Sequence, residues 1–331
     1  MSDDNLFLTG NNCEGVTQKS MSVLADVAPS TIYRAILDLK IEPLAGGYRK
    51  NFRYSVHDTR KILKRYISDK FITKKKMQCF FNFKGGVGKT SICFQVGSHL
   101  SLCGYKVLLV DVDAQAHLST ALGIPISESY FTFYDACIGN VKIEDTIRTV
   151  YEGLDCIPSN FSLSRTDLDV TESSTAAKIL NSVFDSVIDK YDFILFDTNA
   201  TMSYMNVRII SMCDMINIIT ETQAYGVQSA NSVIYNITHS CRDRGLKCPY
   251  MTMIPNKYDE KSTVACEAMY ILREQYSNYL IPDFVIRKSE EFNTANKNSK
   301  PLAFFCRSNS IAFEDISKLV KLVIHSSCVK K

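Results

Sequence analysis

The chain has 331 residues, room for one large α/β domain and a smaller one. Its 46% hydrophobic content, with only 14 Gly and 8 Pro, excludes a fibre or a disordered chain. The net charge of +3, an acidic start without a signal-peptide core, no 18-residue apolar run, and 12 scattered Cys without a C-x-x-C pair predict a soluble cytoplasmic protein with reduced thiols. Its five His show no ligand spacing.

The charge is uneven. Residues 1–76 carry 14 Lys+Arg against 8 Asp+Glu, a balance of +6, and the rest 24 against 27, a balance of −3. Such a basic start suits either an anionic partner or a solvated surface. Residues 1–70 read as a helix, a short turn, a second helix, a hairpin and a third helix. In the second helix Ser30-Thr31 is expected as the cap after Pro29, and Ile32, Ala35, Ile36 and Leu39 form a buried stripe. Thr31, Tyr33 and Arg34 are left outward, as on the recognition helix of a helix-turn-helix. "GGYRKNFRY" follows as a possible wing with Arg49, Lys50 and Arg53 spaced to reach DNA phosphates. A generic three-helix docking module would read the same way. Residues 71–77, with Lys74-Lys75-Lys76, are expected to be a basic linker to a domain over 78–331.

After the linker, apolar runs alternate with helical stretches. Strands are predicted at 78–83, 106–111, 192–197, 215–220 and 250–255, each nearly all apolar, as in strands buried on both faces. With a helix over 91–103 they define an α/β fold, a doubly wound, mostly parallel sheet. "FNFKGGVGKTS" (81–91) joins the first strand to that helix, the context of a P-loop. Gly85, Gly86 and Gly88 let backbone N–H groups surround phosphate oxygens at a helix N-terminus, with Val87 and Ser91 completing the loop. Lys89 is placed to neutralise β/γ-phosphates and the Thr90 hydroxyl to bind Mg²⁺. The first glycine of the usual pattern is replaced by Phe83, and a second lysine, Lys84, follows it. Carboxylates for Mg²⁺ and hydrolysis are available at strand ends: Asp111 and Asp113, whose side chains leave opposite faces if the strand continues, and Asp197.

K-G-G-V-G-K-T, V-L-L-V-D-V-D-A-Q and Y-D-F-I-L-F-D-T together resemble the ParA/MinD family of deviant Walker ATPases. "GLDCIPSNFSLSRTDLDV" (153–170) and "RKSEEFNTANKNSKPL" (287–302) extend the likeness over about 78–325. The resemblance implies that Lys84 is a signature lysine reaching phosphates on the other subunit of an ATP-bound homodimer. It also implies that Asp113 positions water and that Asp111 and Asp197 serve the Mg²⁺ shell. "IPNKYDE" (254–260) contains N-K-x-D, which reads guanine in many GTPases; the resemblance instead places Asn256 near adenine and favours ATP. Lys261 and Lys288 fall where the family carries basic residues for non-specific DNA, and Arg287 stands nearby at a usual proline. The family usually has Pro at Ala114 and Pro-Pro at Asn199-Ala200, in the loop that senses the γ-phosphate.

These features imply a partition ATPase on nucleoid DNA, stimulated by a ParB-like centromere-binding partner, with an N-terminal domain resembling those by which larger plasmid ParA proteins repress their own operons. A nucleotide-regulated repressor with little hydrolysis is the alternative. A MinD-like positioning ATPase is a third, because Ile316, Leu319, Val320 and Val323 could form a membrane-surface helix; the N-terminal domain argues against a membrane.

Overall fold

In a computed structural model, residues 15–45, 52–165, 175–180 and 182–331 are described. Strand β1 (Val16–Thr17) leads into α1 (Gln18–Ala25), capped by the Thr17 hydroxyl. Asp26 breaks the helix at a φ of 56°, and α2 (Pro29–Asp38) follows. The expected Ser30-Thr31 cap is corrected: Ala28 precedes the helix without a side-chain cap and Pro29 takes its first position, so Ser30 and Thr31 lie inside the first turn. Ile32, Ala35 and Ile36 are buried as the periodicity demands. Strand β2 (Arg53–Tyr54) pairs antiparallel with β1, and α3 (Val56–Tyr66) completes the unit. Most of the predicted wing, Arg49 and Lys50 included, lies outside the described residues.

The expected basic linker is also corrected. Phe71–Thr73 forms strand β3, paired antiparallel with the last strand of the chain, Cys328–Lys330. Lys74 and Lys75 donate their backbone N–H groups to the Ser327 carbonyl at 2.7 and 3.1 Å. The chain thus enters the main domain clamped to its own C-terminal end.

That domain is built on β4 (Met77–Phe81), β5 (Val107–Val112), β6 (Arg148–Tyr151), β7 (Leu154–Ile157), β8 (Phe193–Thr198), β9 (Met215–Glu221) and β10 (Tyr250–Asn256), in spatial order 10-9-4-8-5-7-6. All neighbours are parallel except the edge pair β6/β7. The alternation of strand side chains builds two cores. Phe80, Leu109 and Leu195 face α4 (Lys89–Leu102) and the C-terminal helix Ile311–Ser327, whereas Cys79, Leu108 and Ile194 face the opposite layer. Both faces being covered is why the sequence shows continuous apolar runs rather than alternation.

Met21, Leu24, Ile32 and Ile62 of the N-terminal unit belong to the same buried cluster as Phe313 and Val320 of the C-terminal helix. Ile316, Leu319, Val320 and Val323, the stripe that could have faced a membrane, are all buried in this core. Among the described residues no helix is long and apolar enough to cross a membrane. Arg60 of α3 pins the junction: its Nη1 donates to the Tyr105 carbonyl at 3.0 Å and to the Ser101 carbonyl. Gly153, at a φ of 84°, makes room for that guanidinium; a Cβ there would stand 2.0 Å from Arg60 Nη1.

Candidate nucleotide site

Strand β4 stops at Phe81, two residues earlier than the apolar run, because Asn82 turns its amide inward. Asn82 Nδ2 donates to the Ile219 carbonyl at 2.6 Å, and its Oδ1 accepts from the Lys84 N–H at 2.9 Å. The loop then winds through Gly86 and Gly88, at φ of 75° and 99°, into α4, which begins at Lys89 rather than 91. Both angles lie where only glycine is unstrained. At Gly88 the room is missing too: a Cβ would come 2.4 Å from Asn256 Nδ2.

The loop opens on a cleft of about 570 Å³ lined by Gly85, Lys89, Thr90, Ser91 and Asp113. Lys89 is almost buried and donates to the Lys84 carbonyl at 3.2 Å. Burial pulls its ammonium below the ordinary range, opposed by the charges of Asp197 and Asp113. Asp111 and Asp197 are register partners on adjacent strands, both buried, yet their surroundings differ. Asp111 Oδ1 accepts from the Asp113 N–H at 3.1 Å, and Oδ2 from the Ser119 N–H and hydroxyl at 2.8 and 2.7 Å. Burial raises Asp111 to about 6 despite these donors. Neither oxygen of Asp197 accepts a hydrogen bond of normal geometry. Burial, reinforced by Asp111, pushes Asp197 well above the usual carboxylate range, and the neighbouring Thr90 hydroxyl and Lys89 ammonium do not offset it.

A buried carboxylate with no donor of normal geometry, beside a lysine and the Thr90 hydroxyl at a P-loop, fits a Mg²⁺–phosphate group. A divalent cation would supply the charge compensation that the side chains withhold. Of the three expected Mg²⁺ residues, Thr90 and Asp197 fit this place directly; the donors on Asp111 commit it to holding helix α5 (His117–Ala121). Strand β5 runs through Asp111 and ends at Val112, so Asp113 leaves the sheet and lines the cleft, whereas Asp111 stays buried in the strand. At Asn199-Ala200, which replace the proline pair of the family resemblance, Asn199 Oδ1 gathers the Thr201 N–H and hydroxyl and the Asn206 amide at 3.1, 2.8 and 2.6 Å.

Several of these side chains have partners within the subunit. Asn256 Nδ2 donates to the Val87 carbonyl at 2.7 Å, bracing the P-loop. Lys84 Nζ pairs with Glu221, which also pairs with Lys257 at 2.8 Å. Sequence reading missed Glu221, gave Lys257 no role, and missed Asn296 and Lys297, which line the cleft; Asn296 Nδ2 meets Ser91 Oγ at 2.6 Å. Pairings across 137 and 205 residues leave no local signal.

Among the candidate DNA contacts, Tyr33 and Arg34 are exposed on α2 and Thr31 is half-buried beside them. Arg53 is corrected: its Nη1 donates to the Gly15 carbonyl at 2.7 Å and to the Phe304 carbonyl, so it fastens the junction instead of reaching outward. Arg287 is likewise tied to Asp315, Nη2 to Oδ1 at 2.6 Å. Lys261 and Lys288 line one shallow depression of about 250 Å³, brought together by the Lys288 N–H donating to the Tyr258 carbonyl at 2.8 Å.

A parallel sheet with a P-loop between its first strand and helix, flanked by strand-end aspartates, defines a P-loop nucleotide-binding protein. The chain belongs to the AAA_31 family, an AAA domain, whose model matches residues 75–245, more than half of it. It is 23% identical to the chromosome partitioning protein ParA of Caulobacter vibrioides, over 68% of this chain and 85% of that protein. The fold is similar to that of the ATP complex of McdA(D38A) from Cyanothece, with a TM-score of 0.68 and 22% identity over 76% of this chain and 97% of that one. A plasmid partition protein from Borrelia burgdorferi B31 bound to AMPPNP gives 0.62 and 23%, over 76% and 99%.

Proposed function

We propose that the protein is a DNA-partition ATPase that binds ATP and Mg²⁺, dimerises on ATP, and hydrolyses it slowly. The observation that carries this reading is the pairing of a two-lysine P-loop with a buried carboxylate, Asp197, that has no donor beyond the neighbouring Thr90 hydroxyl. Lys89 and the loop N–H groups hold the phosphates, and Thr90 and Asp197 hold Mg²⁺, which supplies charge compensation at the phosphates. Asp113, on the cleft wall outside the strand, orients the attacking water. Lys84 compensates phosphate charge across the dimer.

The relatives named for partition support the biological half of the reading. The ATP-bound dimer loads on nucleoid DNA through Lys261 and Lys288, and a ParB-like partner stimulates hydrolysis and release. Residues 1–70 form a winged helix-turn-helix that places Thr31, Tyr33 and Arg34 on the operator of the protein's own operon; residues 78–331 are the ATPase domain. The test is ATP turnover with Mg²⁺, with and without non-specific duplex DNA and the protein encoded beside this one. Turnover is expected to rise only with both present. Hydrolysis that stays absent with DNA and partner, while operator binding persists, would leave a nucleotide-regulated repressor instead.

A further inference from the structure

At the mouth of the P-loop one buried carboxylate serves two lysines. Glu221, the last residue of β9, is 7% exposed. Its Oε2 accepts from Lys84 Nζ and its Oε1 from Lys257 Nζ at 2.8 Å. Lys257, at a φ of 56°, also donates to the Gly86 carbonyl at 2.5 Å. Burial pushes the Glu221 carboxyl up, but the hydrogen bonds and charges of Lys257 and Lys84 outweigh it and leave it below its ordinary value. Glu221 is therefore a charged group whose burial depends on these cations.

The lysines are held differently. Lys257 is fixed at a second point, the P-loop carbonyl. The backbone of Lys84 is anchored by Asn82 Oδ1 at 2.9 Å and by Lys89 Nζ at 3.2 Å. Its ammonium touches Glu221, and its side chain is 37% exposed. Only the side chain has to swing for Lys84 to point elsewhere. Removing one partner from a buried ion pair strands the other charge at high cost. Here that cost is avoided, because Lys257 stays on Glu221 when Lys84 leaves.

We propose that Glu221 is a positioning residue that stores Lys84 inside its own subunit, and that Lys257 keeps Glu221 neutralised when the phosphates of a nucleotide-loaded second copy draw Lys84 across. This rests on the reading that Lys84 acts in trans. Glu221 then sets the threshold for dimerisation: the dimer forms only when the partner's phosphates outcompete a charge-assisted hydrogen bond. A plain loop brace makes a different prediction, since losing either Glu221 or Lys257 would loosen the loop and weaken the dimer.

The experiment is sedimentation velocity of the full chain over a protein dilution series with saturating AMPPNP and Mg²⁺, with monomer affinity for the nucleotide measured separately. Glu221→Gln, which frees Lys84, is expected to tighten the dimer about tenfold, and Lys257→Met, which leaves Lys84 as the carboxylate's one remaining cation, to weaken it by about as much. Opposite signs support the latch. The same sign for both, or a Glu221→Gln dimer no tighter than the parent, overturns it. Lys84→Gln separates the two readings. If it dimerises like the parent, the trans role of Lys84 fails; if it loses the dimer while Glu221→Gln is unchanged, only the latch fails. Lys257→Met, altering a half-exposed side chain, keeps the latch testable if Glu221→Gln does not fold, since a dimer as tight as the parent's again overturns it.

Discussion

Ser119→Ala probes the segment that carries Asp113. The Ser119 hydroxyl is buried and does two jobs: it donates to Asp111 Oδ2 at 2.7 Å and accepts from the Ser159 N–H at 3.0 Å. It thereby ties β5, α5 and the loop after β7 into one joint. Losing a hydrogen bond to a charged group costs about 1.5–3 kcal/mol, and orphaning a buried N–H adds about 1 kcal/mol or more. The expected loss is therefore about 3 kcal/mol near pH 7.5, or a fall in Tm of roughly 4 °C for a chain of 331 residues. The effect depends on pH with a definite sign. Burial raises the Asp111 carboxyl from its ordinary 3.8 to about 6 in the folded protein. A carboxyl raised on folding adds stability below its unfolded pKa and loses it as pH rises through the folded one. Between about pH 4 and 6 the parent should lose on the order of 3 kcal/mol from this group. The charged form needs the Ser119 donor more than the neutral form does, so the substitution should cost less at pH 5 than at pH 7.5. Thermal unfolding of both proteins at the two pH values reads this out. A penalty equal at both, or larger at pH 5, would refute the assignment of Asp111 as a donor-stabilised buried carboxylate.

Three further outcomes follow from the geometry. Gly88→Ala forces a Cβ to within 2.4 Å of the Asn256 amide at a φ of 99°, so ATP binding by calorimetry should fall below detection while far-UV circular dichroism keeps the parent's shape. Asp113→Ala should retain AMPPNP affinity within about threefold and lose at least about tenfold in turnover, the difference between a group that binds and one that orients water. Arg60→Ala deletes the donor to the Ser101 and Tyr105 carbonyls beside Gly153 and should cost about 2–4 kcal/mol, seen as a lower Tm and early proteolysis of residues N-terminal to β4.

The sheet was readable because burial on both faces imprints unbroken apolar runs, and the P-loop because its signature is contiguous. Boundaries slipped where a polar side chain changed role: Asn82 is next to an apolar run yet leaves the strand to feed the loop. Edge strand β6 and its neighbour β7 were not foreseen, since four residues each carry too little pattern. The strand over Phe71–Thr73 was read as a linker because its partner lies some 250 residues away, at the chain's end. Arg53, Arg60 and Arg287 look alike in the sequence, but all three spend their donors on protein acceptors at junctions. A basic residue's spacing says that it could reach a phosphate; its carbonyl and carboxylate neighbours decide that it does not.

Helix α4 connects the chemistry to the rest of the molecule. Its first residue is Lys89 at the phosphate end, and fourteen residues span about 21 Å to the Ser101–Leu102 turn, where Arg60 docks the N-terminal unit. The same helix packs on the C-terminal helix, which in turn packs on α1. The N-terminal unit shares one buried cluster with the layer that contains the P-loop helix, so it cannot move as a tethered bead. Arg60 sits against two backbone carbonyls at the end of α4 and just beyond it, which joins the N-terminal unit to the main chain there. If residues 1–70 touch operator DNA, the nucleotide state should therefore register at the surface of α2 by rigid displacement of the whole unit.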